Sequence, residues 1–251
     1  MSAPCDGSFP VHTAALDLLR TGRLEVLGRL AVASNATLYC AVRAPGGARE
    51  AHCVYKPVAG ERPLWDFPDG TLAGREVAAH AVSEALGWAV VPPTVYRDGP
   101  YGPGMCQLWI EGDPEVDLVR LSREHEHLGL RRMAVFDAVI NNSDRKIGHL
   151  LPTPSGHLYG CDHGLSFAAE DKLRTVLWQW QGEPLPGDML TELIGLGETL
   201  SDPQDQLTRT VREYLDVAEL QATLRRTTQL CEHSVHPLPS PDWPAVPWPP
   251  I

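Results

Sequence analysis

The sequence predicts an α+β protein of two lobes, a β-rich amino-terminal half followed by an α-rich carboxy-terminal half. Two observations predict it. Up to about residue 110, short runs of β-branched, aromatic and apolar residues alternate with turn residues, and only one substantial helical pattern interrupts them. Beyond that point, helical spacing dominates. The length of 251 residues, with 43% hydrophobic and 21% charged side chains, suits one large domain folded as two lobes around a cleft.

Taken in order, residues 12 to 21 read as an amphipathic helix stopped by Gly22, with Ala15, Leu18 and Leu19 on one face. Three strands follow at Leu24–Val32, Thr37–Val42 and Ala51–Val58, separated by Ser34-Asn35 and by Pro45-Gly46-Gly47. A loop rich in Pro, Trp and Gly leads to a helix over Arg75–Leu86. Strands at Thr94–Tyr96 and Met105–Ile110 close the first half. The second half opens with a helix over Glu124–Val139 and the polar loop Asn141-Asn142-Ser143-Asp144. Short strands at His149–Leu151 and Leu158–Gly160 lead to Cys161-Asp162-His163-Gly164, and helices are expected over Asp188–Leu196, Gln204–Tyr214 and Val217–Cys231. This divides the chain into an amino-terminal lobe of about 1–106, a hinge at 107–112, a carboxy-terminal lobe at 113–235 and a tail at 236–251. The last 15 residues hold seven prolines; with Trp243 and Trp248 among them, the tail is expected to dock on the body.

The formal charge of −11 repels nucleic-acid phosphates and anionic lipid headgroups, so neither is an expected partner. No apolar stretch is long enough to span a membrane, and the amino-terminus lacks the basic-then-apolar order of a secretory signal. The six scattered cysteines form no C-x-x-C pair and read as reduced thiols of a cytoplasmic protein. His125 and His127 sit in a charged stretch and are expected to face solvent, while Trp178 and Trp180 read as core residues before acceptor-pocket residues.

The chemistry lies in an ordered set of charged residues. Phosphoryl transfer from ATP needs a cation on the phosphates, acidic groups on magnesium and a carboxylate for the acceptor hydroxyl. Lys56, late in the third strand, can reach into the cleft, and Glu76 on the next helix can aim it. Asp144 follows an apolar helix, Lys146 can neutralise charge on the moving phosphoryl group, and Asp162 ends a strand where a metal-binding carboxylate belongs. Each residue alone has an ordinary surface or turn reading; their order favours the kinase reading. Ser34 and Asn35 are the candidates for covering the phosphates.

The segments that carry these residues resemble a known family. Phe136–Arg145 looks like the catalytic loop of type II phosphatidylinositol 4-kinases and their bacterial relatives, and Cys161–Phe167 is similar to their metal-binding segment. Cys106–Gly112 resembles their hinge, which brings in Gln107 and Trp109 as adenine-side residues; HipA-type kinases share the layout. The resemblance implies an atypical protein-kinase-like fold with a reduced carboxy-terminal lobe, with Lys56 on phosphate, Asp144 catalytic and Asp162 on metal. ATP with magnesium, or manganese, is the implied cofactor pair, and a protein or small polyol is a better expected acceptor than lipid. The sequence departs from the kinase pattern in two places. His149 stands where kinases carry the asparagine of the second magnesium site, and the phosphate-covering loop has no glycine. An inactive scaffold that binds nucleotide or a partner is the alternative reading.

Overall fold

A computed structural model describes residues 9–30, 35–47 and 49–251. Helix α1 (Phe9–Thr21) is followed by strands β1 (Arg23–Arg29), β2 (Leu38–Arg43) and β3 (Glu50–Pro57). Helix α2 (Leu72–Ala85) then leads to β4 (Thr94–Gly99) and β5 (Gly102–Leu108). The five strands form one antiparallel sheet in the order β1-β2-β3-β5-β4. Because side chains alternate along a strand, one face of this sheet is apolar and covered by α1. Cys40, Val42, Cys53, Tyr55, Val95 and Cys106 pack there with Leu18 and Leu19. The other face carries Val54 and Lys56.

The second lobe contains α3 (Leu118–Leu121), α4 (Leu128–Ile140), the hairpin β6 (Leu150–Pro152) and β7 (Leu158–Gly160), then α5 (Gly187–Ser201), α6 (Gln206–Val211) and α7 (Val217–His233). Its core runs through Met133, Phe136 and Ile140 of α4, Trp180, and Met189 and Leu193 of α5. Ala78, Ala79 and Val82 of α2 belong to this same core. The helix that follows β3 therefore packs as firmly on the second lobe as on the sheet, and Gly74 lets it approach closely: a Cβ there would stand 2.9 Å from the Tyr214 ring.

Several expected boundaries shift for identifiable reasons. Helix α2 begins at Leu72 because the Glu61 carboxylate accepts the N–H groups of Leu72 (3.2 Å) and Ala73 (2.8 Å). The adjacent N-cap residue, Thr71, turns its hydroxyl to Pro68 O and caps nothing, so the start rests on a distant carboxylate that local signals miss. Helix α4 starts at Leu128, not Glu124, because the His127 ring accepts the Leu130 N–H at 3.1 Å. It ends where Asn141 turns left-handed at φ 52. Thus His127 is a helix cap, while His125 is exposed and paired with Glu183. Trp180 is wholly buried, as a core residue should be. The strand expected through Ile110 stops at Leu108, and that expected through Val32 stops at Arg29. Among the described residues, no helix is long and apolar enough to cross a membrane.

Candidate active site

Lys56 leaves the sheet on the face that also bears Val54, and its Nζ reaches Glu76 Oε1 at 2.7 Å. It also contacts the Asp162 carboxylate. Burial works against the charge on Lys56, but Asp162 and Glu76 outweigh it and hold the ammonium above its ordinary range. Lys56 in turn pulls the Asp162 carboxyl well below the usual carboxylate range. Glu76 is almost fully buried and uses both oxygens: Oε2 accepts the His163 N–H at 2.9 Å. One carboxylate of α2 therefore ties the sheet's lysine to the segment carrying Asp162. Asp162 itself is left-handed at φ 64, a conformation in which Asp is among the tolerated residues, and its side chain is half exposed.

Asp144 lies on the loop after α4, with its N–H donated to Asn142 Oδ1 at 3.0 Å. Its Oδ2 accepts from Lys146 Nζ at 3.0 Å. Burial pushes the Asp144 carboxyl up and the Lys146 pairing pulls it down, with a net rise that suits a proton acceptor. His149 Nε2 stands 3.6 Å from Asp162 Oδ2, and burial holds its pKa down at about 4 despite that neighbour. A neutral imidazole can donate a lone pair to a metal. Among the described residues, no three His, Cys, Asp or Glu side chains form a protein-only metal cage. Asp162 and His149 supply an oxygen and a nitrogen donor, a partial set that fits a divalent cation shared with nucleotide phosphates, the nitrogen suiting manganese better than magnesium.

Behind Asp144 stands a fully buried ionic cluster. Arg145 grips Asp137 through Nη2 (2.9 Å) and Nε (3.0 Å), and donates through Nη1 to Cys161 O at 3.0 Å. Its Nη2 also meets His163 Nε2 at 2.7 Å, so that nitrogen accepts and Nδ1 carries the proton. Burial first, then Arg145, keeps His163 neutral. Arg75, next to Glu76 on α2, is likewise buried: it donates to Ser166 O at 2.8 Å and pairs with Glu219 of α7.

The other expected site residues fall as follows. Ser34 lies outside the described residues. Asn35 does not stand free to meet phosphate: its Oδ1 accepts the Arg62 N–H at 3.0 Å and ties the covering loop to the insertion before α2. Gln107 is buried, and its amide donates to Thr94 Oγ1 at 2.9 Å. Trp109 packs edge-on against Tyr39, with ring centroids 4.9 Å apart. Tyr39 is a residue that sequence reasoning missed. It sits opposite Val54 in the β2–β3 register and so shares the face of Lys56. Arg174 is a second: it donates to Ser143 O at 2.8 Å and its charge acts on Asp144. Neither carries a local signal, since only strand register and the crossing of loops bring them in.

The fold is that of an atypical kinase-like protein, a β-sheet lobe against a helical lobe. Hydra Fam20, solved with sugar, matches at TM-score 0.58 and 14% identity over 91% of this chain and 89% of that one. The Golgi casein kinase solved with Mn/ADP bound matches at TM-score 0.57 and 14% identity over 90% and 76%. By sequence, the chain is 45% identical over 266 aligned positions to Protein Rv2133c of Mycobacterium tuberculosis, covering 92% of this chain and 94% of that protein. It belongs to that protein's family. No protein-family model matches the chain.

Proposed function

We propose that this chain is an atypical kinase that moves the γ-phosphoryl group of ATP to a hydroxyl of a protein or small polyol. The resemblance of Phe136–Arg145 and Cys161–Phe167 supports the phosphatidylinositol-kinase-like, HipA-like branch for it, with lipid the less favoured acceptor. The observation that carries the reading is the convergence of Lys56, Glu76 and Asp162 beside the Asp144–Lys146 pair. Lys56, aimed by Glu76, holds phosphate oxygens. Asp144 takes the hydroxyl proton as the acceptor oxygen bonds to the γ-phosphorus. The bond from that phosphorus to the bridging oxygen breaks and ADP leaves with its electron pair, while Lys146 offsets the developing charge. Tyr39, Trp109 and the backbone at Gln107 are assigned to the adenine side. Asp162 with His149 would hold magnesium or manganese, which when bound neutralises phosphate charge. The Golgi casein kinase bound to Mn/ADP supports that pairing of nucleotide and metal.

The reading treats residues 1–235 as one domain with its hinge at 107–112, and 236–251 as an appended tail. It also assigns the protein to the cytoplasm, supported by six scattered cysteines with no C-x-x-C pair.

The test is ATP consumption and phosphate incorporation with magnesium or manganese, beside Asp144→Ala and Asp162→Ala. Turnover that depends on both carboxylates is expected. Nucleotide binding with no Asp144-dependent turnover would establish the alternative, a nucleotide-binding scaffold, which His149 in the asparagine position favours.

A further inference from the structure

The loop after Asp144 and the segment after Asp162 are laced into a shelf. Arg145 N–H donates to Arg174 O at 3.1 Å, and Val176 N–H donates to Arg145 O at 3.2 Å. Three donors on this shelf are taken by carbonyls of the carboxy-terminal tail. Ile147 N–H reaches Pro250 O at 2.9 Å, while Thr175 N–H (3.0 Å) and the Trp178 indole N–H (2.8 Å) both reach Ala245 O. Upstream, Trp243 stacks on Trp65 of the insertion before α2, with centroids 6.3 Å apart. The tail thus lies against the residues that adjoin Asp144 and Lys146 in the chain.

The mode of seating is informative. Proline has no N–H to give, so a proline-rich segment bonds through its carbonyls. The shelf offers donors for them: two backbone N–H groups and one indole, none of them ionic. Within the tail Pro247 is buried and Trp243, Ala245 and Pro250 are half-buried, while Trp248 (89%), Ile251 (71%) and Val246 (42%) stand in solvent. A segment that buries one proline fully and leaves Trp248 and Ile251 in solvent is held weakly enough to leave. The two carbonyls belong to residues 245 and 250. An extended chain covers roughly 15 Å over that interval, more than one sugar-sized ring spans.

Resting on the phosphotransferase reading, we propose that this shelf is the acceptor site and that it takes an extended polypeptide by its main-chain carbonyls. Residues 243–251 are its intramolecular occupant, and a protein acceptor gains Asp144 by displacing them. A tethered segment competes at an effective concentration in the millimolar range, so the intact chain occludes its own acceptor site.

Two variants loosen the tail: the full-length Trp65→Ala/Trp243→Ala chain and a chain ending at Leu238. A labelled synthetic peptide of residues 241–251 is titrated into each and into the native chain by fluorescence anisotropy. Phosphorylation of Ser/Thr peptides and of myo-inositol is measured in parallel, as is thermal stabilisation by ATP with metal. Both variants should bind the peptide on the order of tenfold more tightly than the native chain. They should also phosphorylate peptides faster, with the KM for ATP unchanged. If the shortened chain fails to melt cooperatively, the full-length double variant decides. Equal peptide binding in all forms, or a gain confined to myo-inositol, overturns the proposal. Enhanced peptide binding without ATP stabilisation or turnover leaves the shelf standing and removes the kinase reading instead; turnover with no peptide binding does the reverse.

Discussion

Asp144 and Arg145 are neighbours in the chain and belong to two different kinds of site. Asp144 faces forward with a side chain 24% exposed, paired to Lys146 and within the field of Arg174 and Asp162. Arg145 faces backward at 0% exposure, with its guanidinium committed to Asp137, Cys161 O and His163. The front cluster is half-wet, and its charges are placed to meet other charges. The rear cluster is dry and closed, and its role is to hold the loop. A buried ion pair earns stability only when its hydrogen bonds are complete, and breaking one partner is costly. A partly exposed carboxylate and a closed structural ion pair thus stand on either side of one peptide bond.

The comparison breaks most sharply with Asp144→Ala. Turnover should fall roughly 10²–10⁴-fold, the usual worth of a positioned base, with melting temperature and ATP binding kept. A comparable loss of melting temperature would assign Asp144 to the support side. Arg145→Met should do the opposite, destabilising the fold by about 3–5 kcal/mol because Asp137 is left buried and unpaired. Thermal unfolding should drop by roughly 6–20 °C for a chain of this size. Adding Asp137→Asn should recover part of that loss, and strict additivity in the cycle would show that the pair is not coupled.

A smaller effect comes from pH. His80 and His236 are packed as neutral rings, each with its pKa lowered by burial to about 4 from the ordinary 6.5. Glu84 opposes the shift at His80 while His12 and Arg20 assist it; at His236, Arg131 and His125 assist and Glu183 opposes. The unfolded chain binds protons at these rings between pH 6.5 and 4 while the folded one does not. Stability is thus complete above pH 6.5 and falls as pH drops, by at most about 1.4 kcal/mol per pH unit for each ring. Melting temperatures from pH 7.5 to 5 should show the decline, and His80→Phe should flatten it. The smallest effect expected is from His149→Asn, which exchanges a nitrogen donor for an oxygen. It should shift the ratio of magnesium- to manganese-supported turnover toward magnesium by a few-fold. An unchanged ratio would separate His149 from the metal.

Much of the architecture is legible along the chain because it rests on local pattern. Runs of β-type residues bounded by turns mark β2 and β3, and a three-to-four residue apolar spacing marks α4 and α7. Lys56, Glu76, Asp144 and Asp162 are legible because an ordered set of charges on strand, helix and loop is rarer than any of its members. What local pattern misses depends on partners far away. Glu61 caps a helix eleven residues on, Arg75 finds Glu219, and Asn35 is taken by Arg62.

The sequence by itself determined the two-lobed α+β class and the order of the charged residues, since periodicity and residue type are properties of neighbours. Only the tertiary structure decided which charges meet. It set Lys56 between Glu76 and Asp162, turned Arg145 inward while Asp144 stayed partly exposed, and laid the proline-rich tail against Ile147, Thr175 and Trp178. The physical reason is that a buried charge is tolerable only beside its complement, and that complement is fixed by packing between segments that the chain keeps far apart.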